Sequence, residues 1–304
     1  MTALETKQRA LERELARIGP VVVAFSGGAD SAFLAAAARR VLGDDAIAVT
    51  AISPSLASSE RDHCRRLTSE WGIEWIEVAT DEMERAAYRR NDGDRCFHCK
   101  SALMDAVEPI ADARSATVLL GVNVDDLGDH RPGQAAAAQG GARFPLVDAG
   151  FTKDDVRRAS RQMGLSTWDR PASACLASRV PYGTEVTVNV LSSVERAERA
   201  LRDLGLRQLR VRHHGDTARI EVGLDELDTV IAHRADIVVA VRAAGYRYIT
   251  LDLEGFRSGN LNTAPPVRRK RSGRPPAAYA RSIRGSCAGA AVRGASRRRA
   301  RLRR

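Results

Sequence analysis

No run of apolar residues in this chain approaches the ~20 that a membrane-spanning helix needs. The opening stretch, MTALETKQRALEREL, is charged throughout and has no apolar h-region, so no secretory signal is read there and a cytoplasmic location is expected. Cysteine is scarce and odd in number: Cys64, Cys96, Cys99, Cys175 and Cys287. A chain of 304 residues is long enough to bury its own core, so a disulfide framework is not expected. Acidic residues are missing from the last 41 positions, which hold 14 Lys or Arg. The first 263 residues carry 34 basic and 38 acidic side chains, a net of −4, so the chain's net charge of +10 belongs to the tail alone. A charge argument for nucleic acid therefore applies to the tail and not to the body. Hydrophobic residues make up 44% and charged ones 28%, which suits a packed core in one large or two ordinary domains.

Periodicity predicts an amphipathic helix over 3–18, a buried strand at VVVAF (21–25), a helix over 30–42 and a strand over 46–53. A helix over 56–71, a strand over 74–79, a helix over 99–112 and a strand over 116–123 follow. Apolar strands alternating with helices imply a parallel sheet covered on both faces. A further helix, 152–164, starts at a Thr152 cap with Asp155 three residues on. Residues 171–187 are turn-rich. A helix (190–204), strands at 207–213 and 217–222, helical residues 224–244 and a strand at 246–252 predict a smaller α+β domain. The expected division is 1–170, 171–263 and a tail of 264–304. The tail is Pro-, Arg-, Ala-, Gly- and Ser-rich and is expected to be disordered. It is either a solvated extension or a segment that binds nucleic acid or anionic lipid nonspecifically through phosphate charge.

The strand at 21–25 runs straight into Ser26-Gly27-Gly28-Ala29-Asp30-Ser31 and then a helix. Glycines at that point let backbone amides at a helix N-terminus close on an anion, with Ser26 and Ser31 as added donors. Asp30 cannot favour phosphate by charge, so it suggests a bridging divalent metal. The stretch lacks the Gly-Lys-Ser/Thr ending of the common P-loop and the Gly-x-Gly-x-x-Gly dinucleotide fingerprint. Read alone, it is also compatible with a plain strand-to-helix turn.

The string Ser-Gly-Gly-x-Asp-Ser after an apolar strand resembles the pyrophosphate loop of the N-type ATP pyrophosphatases. That resemblance implies an adenine-nucleotide α-hydrolase-like (Rossmann-like) α/β fold, cleavage of ATP between its α- and β-phosphates, and adenylation of a substrate. DRCFHCKSAL (94–103), GVNVDDLGDHRPGQAAA (121–137), PASACLASRVPYG (171–183) and LRQLRVRHHGDTARIEV (206–222) together resemble the LarE family of sulfur transferases. The likeness spans roughly 4–263 and stops at the tail. It implies a pyridinium mononucleotide substrate with two carboxylates, ATP with Mg2+ or another divalent metal, and membership of nickel-pincer nucleotide biosynthesis. The sulfur would come from the enzyme's own cysteine, which becomes dehydroalanine. A homo-oligomer is expected, with no membrane association.

Cys175 is the implied sulfur donor. It sits among small residues, with Arg170 and Arg179 near in sequence to favour a thiolate; the competing reading is a buried hydrophobic cysteine. Arg210 and Arg212 alternate along a strand and, with Arg179, match family ligands of substrate phosphate; the bland reading is a solvated strand face. Glu198 matches a carboxylate near a metal, or is a helix surface charge. Asn123, Asp125 and Asp126 follow the fourth strand at its carboxyl end, where they would meet the adenylate or a second metal, or simply cap a turn. Cys96 and Cys99 form one Cys-x-x-Cys, too few ligands for a zinc site. With Cys175 or Cys64 they could serve redox exchange or hold an iron–sulfur cluster, which some sulfur-transferring relatives use. CLASR offers only one loop cysteine, which favours the sacrificial route. Two other classes stay open: an ATP-dependent tRNA thiolase, against which the acidic body counts, and a non-catalytic nucleotide-binding protein acting through its tail.

Overall fold

The computed structural model describes residues 2–128, 132–171 and 173–257. Residues 1–264 form one compact unit. The expected disordered tail, with Cys287, lies outside the described residues. Helix α1 (Ala3–Ile18) starts at Thr2, whose Oγ1 accepts from Glu5 N at 3.2 Å while Glu5 returns a carboxylate to Thr2 N at 2.8 Å. It buries Leu4, Leu11 and Leu15 as a single stripe. The chain then runs through β1 (Val21–Ala24), α2 (Ala29–Leu42), β2 (Ala46–Ile52), α3 (Ser58–Trp71), β3 (Glu74–Ala79), α4 (Ala86–Arg89), α5 (Arg95–Ala113) and β4 (Thr117–Leu120). Short helices α6 (Pro132–Gln139) and α7 (Pro145–Asp148) lead to α8 (Lys153–Gln162), which carries the expected cap of Thr152 with Asp155.

The four strands form a parallel sheet in the order β3-β2-β1-β4, with Val21 opposite both Ala46 and Thr117. Successive β1 side chains feed opposite cores. Val21 and Val23 join the cluster containing Leu11, Leu15, Phe33 and Val156 from α1, α2 and α8. Val22 joins Leu103, Met104 and Val107 of α5. Both faces are covered, which is why the inner strands β1 and β2 and the strand β4 read as nearly continuous apolar runs. The chain moves outward from β1 to β2 to β3 and then crosses to pair β4 on the other side of β1. Loops leaving the carboxyl ends of β1 and β4 therefore diverge and open a crevice between them.

Beyond residue 187 come α9 (Val188–Asp203), β5 (Leu209–His214), β6 (Thr217–Val222), α10 (Leu227–Ala232), α11 (Arg234–Ala243) and β7 (Tyr248–Leu251). β5 and β6 are antiparallel, β6 and β7 parallel, and the sheet order is β5-β6-β7. Ala197, Leu201, Val211, Ile220, Ile237 and Val241 fill its own core. The expected α/β sheet with a smaller α+β part is what the chain forms.

Some elements differ from expectation. The helix expected from 99 begins at Arg95, so Cys96 and Cys99 both ride on α5; its polar first turn hides the start from a periodicity count. The helical stretch 224–244 is broken at His233. The short helices α4, α6 and α7 carry too little pattern to be seen beforehand. Among the described residues no helix is long and apolar enough to cross a membrane.

Candidate active site

The loop after β1 folds back on itself. Ser31 Oγ donates to the Gly28 carbonyl at 3.2 Å, accepts from Ser26 N at 3.3 Å and lies 3.1 Å from Ser26 Oγ. Gly27 has φ of +68°, and a Cβ there would come within 3.0 Å of Cys64 Sγ and His63 Cδ2 on α3. Both the conformation and the packing require glycine. Gly28 is the N-cap of α2 and no side chain caps it, so the first-turn amides remain for a ligand.

The loop leaving β4 forms the opposite wall. Gly121 presses so close that a Cβ would lie 2.6 Å from Ser31 N. Asn123 is fully buried; its Nδ2 donates to Asp30 Oδ1 at 3.0 Å, and its Oδ1 accepts from Asp125 N at 3.0 Å. Asp126 Oδ2 accepts from Asn123 N at 3.2 Å, and Asp125 Oδ2 accepts from Lys153 N at 2.8 Å. The Lys153 ammonium forms an ion pair with Asp30 Oδ2. The fold thus gathers Ser26, Gly27, Gly28, Asp30, Ser31, Asn123, Asp125 and Asp126 at one point. It also adds Lys153, which the sequence reading missed. The available signal was a lysine at the first position of a helix, where it opposes the macrodipole. Asp30, Asp125 and Asp126 bring carboxylate oxygens, the donor type a hard divalent cation takes, to this junction, although they do not converge as a three-ligand site.

Cys175 is exposed at the head of a short 3-10 turn, Leu176–Arg179. Cys175 and the described residues just before it are exposed, whereas Leu176, Ala177, Arg179 and Val180 are buried. Side chains and backbone from distant segments hold this stretch. Ser55 O accepts from Leu176 N at 2.9 Å. Arg179 Nη1 donates to the carbonyls of Ala174 at 2.6 Å and Cys175 at 3.1 Å, and Arg95 Nη1 donates to that of Ala177 at 2.8 Å. Arg212 Nη1 donates to the Ser178 carbonyl at 2.8 Å. Asn91, at φ of +56°, donates to the carbonyls of Val180, Pro181 and Thr184 at 3.2, 2.8 and 2.9 Å. A buried bond to a charged donor contributes about 1.5–3 kcal/mol, so the thiol stands on a fixed backbone. Arg170, expected to favour its thiolate, is bound instead to Glu60, with both carboxylate oxygens at 2.8 Å. Arg95 is a cation beside Cys175. Burial opposes its charge, but the neighbouring Cys175, Cys96 and Tyr88 groups outweigh that and raise its pKa.

A cavity of about 120 Å³ next to Cys175 is lined by Ser53, Ser55, Glu82, Cys99 and Lys100 among others. Burial, then the nearby Cys175, pushes the Cys99 thiol up to about 12. Glu82 is 2% exposed; its Oε1 accepts from Ser55 Oγ at 3.2 Å and its Oε2 has no partner. The Tyr88 hydroxyl, also buried and unpartnered, is pushed well above its usual range by burial and by Cys175 and Cys99. Neither residue carries a motif, so nothing in the chain's letters marks them. Cys96 is exposed. Among the described residues no three His, Cys, Asp or Glu side chains converge as a metal site.

The three arginines proposed for phosphate lie together but in different states. Arg179 pairs with Glu198 through Nε at 2.8 Å and Nη2 at 3.1 Å. Glu198, 1% exposed, also accepts from Arg202 at 2.9 Å and Val211 N at 3.1 Å. Four donors fill its lone pairs, so this carboxylate does not suit a metal. Burial would raise its pKa, but Arg179 and Arg202 hold it below the usual carboxylate range. Arg212, 2% exposed, pairs with Glu221 at 3.0 Å. Arg210, 7% exposed, stacks 4.6 Å over Phe256 and has no carboxylate partner among the described residues. Burial, then Arg179 and Arg212, lower its pKa to about 10. Three guanidinium groups against two carboxylates leave one buried positive charge at Arg210, a place for an anion.

A family model described as asparagine synthase matches residues 3–93, the stretch that contains the loop after β1. An uncharacterized protein of Synechocystis, slr1717, is 41% identical over 85% of this chain and 98% of its own. The pyridinium-3,5-bisthiocarboxylic acid mononucleotide synthase of Lactiplantibacillus plantarum is 37% identical over 86% of this chain and 96% of its own. The uncharacterized MJ0830 of Methanocaldococcus jannaschii is 22% identical over 78% of this chain.

Proposed function

The chain belongs to the LarE family of PP-loop, ATP-using enzymes, and from that premise we propose that it transfers the sulfur of Cys175 to a pyridinium mononucleotide bearing two carboxylates, in nickel-pincer nucleotide biosynthesis. Residues 1–170 would activate the nucleotide, and 171–263 would hold the acceptor and deliver sulfur. The amides at 26–31 grip the β- and γ-phosphates of ATP, and Lys153 is free to exchange Asp30 for phosphate. Mg2+ held by Asp30, with Asp125 and Asp126 beside it, would offset the charge of the departing diphosphate. A substrate carboxylate attacks the α-phosphate and pyrophosphate leaves. Amides aimed at a developing anion contribute about 2.7–4 kcal/mol each when lost singly.

Arg210 binds the phosphate of the acceptor nucleotide, and Arg212 and Arg179 set its position. The Cys175 thiolate attacks the acyl-adenylate, forming a thioester as AMP departs. The Cβ–S bond then breaks, the product keeps a thiocarboxylate, and residue 175 becomes dehydroalanine.

One observation supports this reading above the others. Arg179 touches the carbonyl of Cys175 and belongs to the cluster that leaves Arg210 without a counter-charge. The sulfur and the anion site are therefore coupled through one side chain. The test is intact mass spectrometry after incubation with ATP, Mg2+ and the dicarboxylated nucleotide. Loss of the elements of hydrogen sulfide at residue 175, with one equivalent each of AMP and pyrophosphate, is expected. A thiolated product with an unchanged protein mass would refute the sacrificial route.

A further inference from the structure

Breaking the Cβ–S bond of a cysteine thioester requires removal of the proton on Cα. That hydrogen is weakly acidic, so two groups are needed: one to draw charge onto the adjacent carbonyl and a base to take the proton. The first is in position, because Arg179 Nη1 donates to the Cys175 carbonyl at 3.1 Å. Of the groups lining the cavity beside Cys175, Glu82 is the one carboxylate. It is buried, one oxygen is fixed by Ser55 Oγ, and the other has no partner. A buried carboxylate oxygen without a partner costs free energy unless the site uses it. Ser55 joins the two, since its hydroxyl holds Glu82 and its carbonyl holds the amide of Leu176, the residue after the thiol. The other acids at hand are poor bases here: Cys99 and Tyr88 are both held protonated by burial.

We propose that Glu82 is the catalytic base that removes the Cα proton of residue 175, with Arg179 stabilising the charge that develops on the carbonyl. The assignment rests on Cys175 being the sulfur donor. Glu82 Oε2 takes the proton, and the C–H electron pair becomes the Cα=Cβ bond. The Cβ–Sγ pair leaves on the thiocarboxylate sulfur. Glu82 ends protonated and returns its proton to solvent, and no oxidant or reductant is consumed.

The test follows full-length wild type, Glu82→Gln and Glu82→Asp by intact mass and by AMP and pyrophosphate release with ATP, Mg2+ and the pyridinium dicarboxylate mononucleotide. Wild type should lose one sulfur and two hydrogens. Glu82→Gln should release AMP once and then stall as the acylated protein, with elimination slowed on the order of a hundredfold or more. Glu82→Asp should restore part of that rate, which a purely packing role would not produce. Sulfur loss by Glu82→Gln at the wild-type rate overturns the assignment alone, and so does a variant that fails already at AMP release. A wild type that thiolates product with its mass unchanged overturns the donor reading, and the assignment with it. Should Glu82→Gln not fold, Glu82→Asp decides: slowed elimination after normal AMP release supports the base, and unslowed elimination refutes it.

Discussion

Replacing Gly121 with alanine should damage adenylation more than it damages the fold. The added Cβ would stand 2.6 Å from Ser31 N and 2.8 Å from Asp30 C and Ser31 Cα, where ordinary contact begins at 3.4 Å. The atoms it meets are backbone in the first turn of α2, so no side chain can swing aside. The two segments must part by about 0.8 Å. Overpacking of that kind costs about 1–3 kcal/mol of stability. It also moves Asp30 away from Asn123, whose bond to it is 3.0 Å, and widens the cradle for the diphosphate. A misplacement near 1 Å at a reacting centre costs on the order of a hundredfold in rate. Urea denaturation gives the first number from the midpoint at constant slope. First-turnover pyrophosphate release gives the second. Gly93→Ala is the control, since its Cβ would meet nothing within 4 Å, and should stay within about 0.5 kcal/mol of wild type. A Gly121→Ala protein with an unchanged midpoint and an unchanged pyrophosphate rate would refute the claim that the exit of β4 sets the width of the cradle.

Arg210→Met should raise the mononucleotide concentration that half-saturates the first-turnover rate roughly ten- to a hundredfold without moving that for ATP, while the urea midpoint rises, because a buried cation flanked by Arg179 and Arg212 is removed. Asn91→Ala should lose about 2–3 kcal/mol of stability in the same assay, since three carbonyls of the 180–184 segment lose their donor. Glu198 contributes stability that is complete above its unfolded value near 4.5 and is lost as pH falls through the lower folded value; an acid titration of unfolding should therefore be shallower in Glu198→Gln below about pH 4.5. Alkylation by iodoacetamide at about pH 8, read by peptide mapping, should mark exposed Cys96 and Cys175 quickly. Cys64 and Cys99 should react slowly, being pushed up to about 11 and about 12 by burial.

The sheet was legible because β1, β2 and β4 are apolar along nearly their whole length and each strand is separated from the next by a helix-length segment. The loop after β1 was legible because its chemistry is contiguous: six neighbouring residues supply the turn, the amides and the carboxylate. What was hidden comes from residues brought together only by folding. Lys153 reaches Asp30 across 123 positions, Arg95 reaches the Ala177 carbonyl across 82, and Glu82 reaches the site through Ser55. The sequence could say that Arg179 is a cation near Cys175, but not that its charge is matched by Glu198 and its remaining donors go to the Ala174 and Cys175 carbonyls and the Ser178 hydroxyl. Arg179, Arg210 and Arg212 look alike in a string of letters. Only their partners show that two are already matched while the third still lacks a counter-ion.

The guanidinium that steadies residue 175 holds the carbonyl oxygen and never the thiol. If the residue gives up its sulfur, that grip survives the event. An exhausted molecule would thus keep its shape, its nucleotide cradle and its acceptor pocket. It would go on occupying the acceptor without converting it, as a decoy that grows with every turnover, and a cell relying on this chemistry would have to replace or clear old copies to keep up supply.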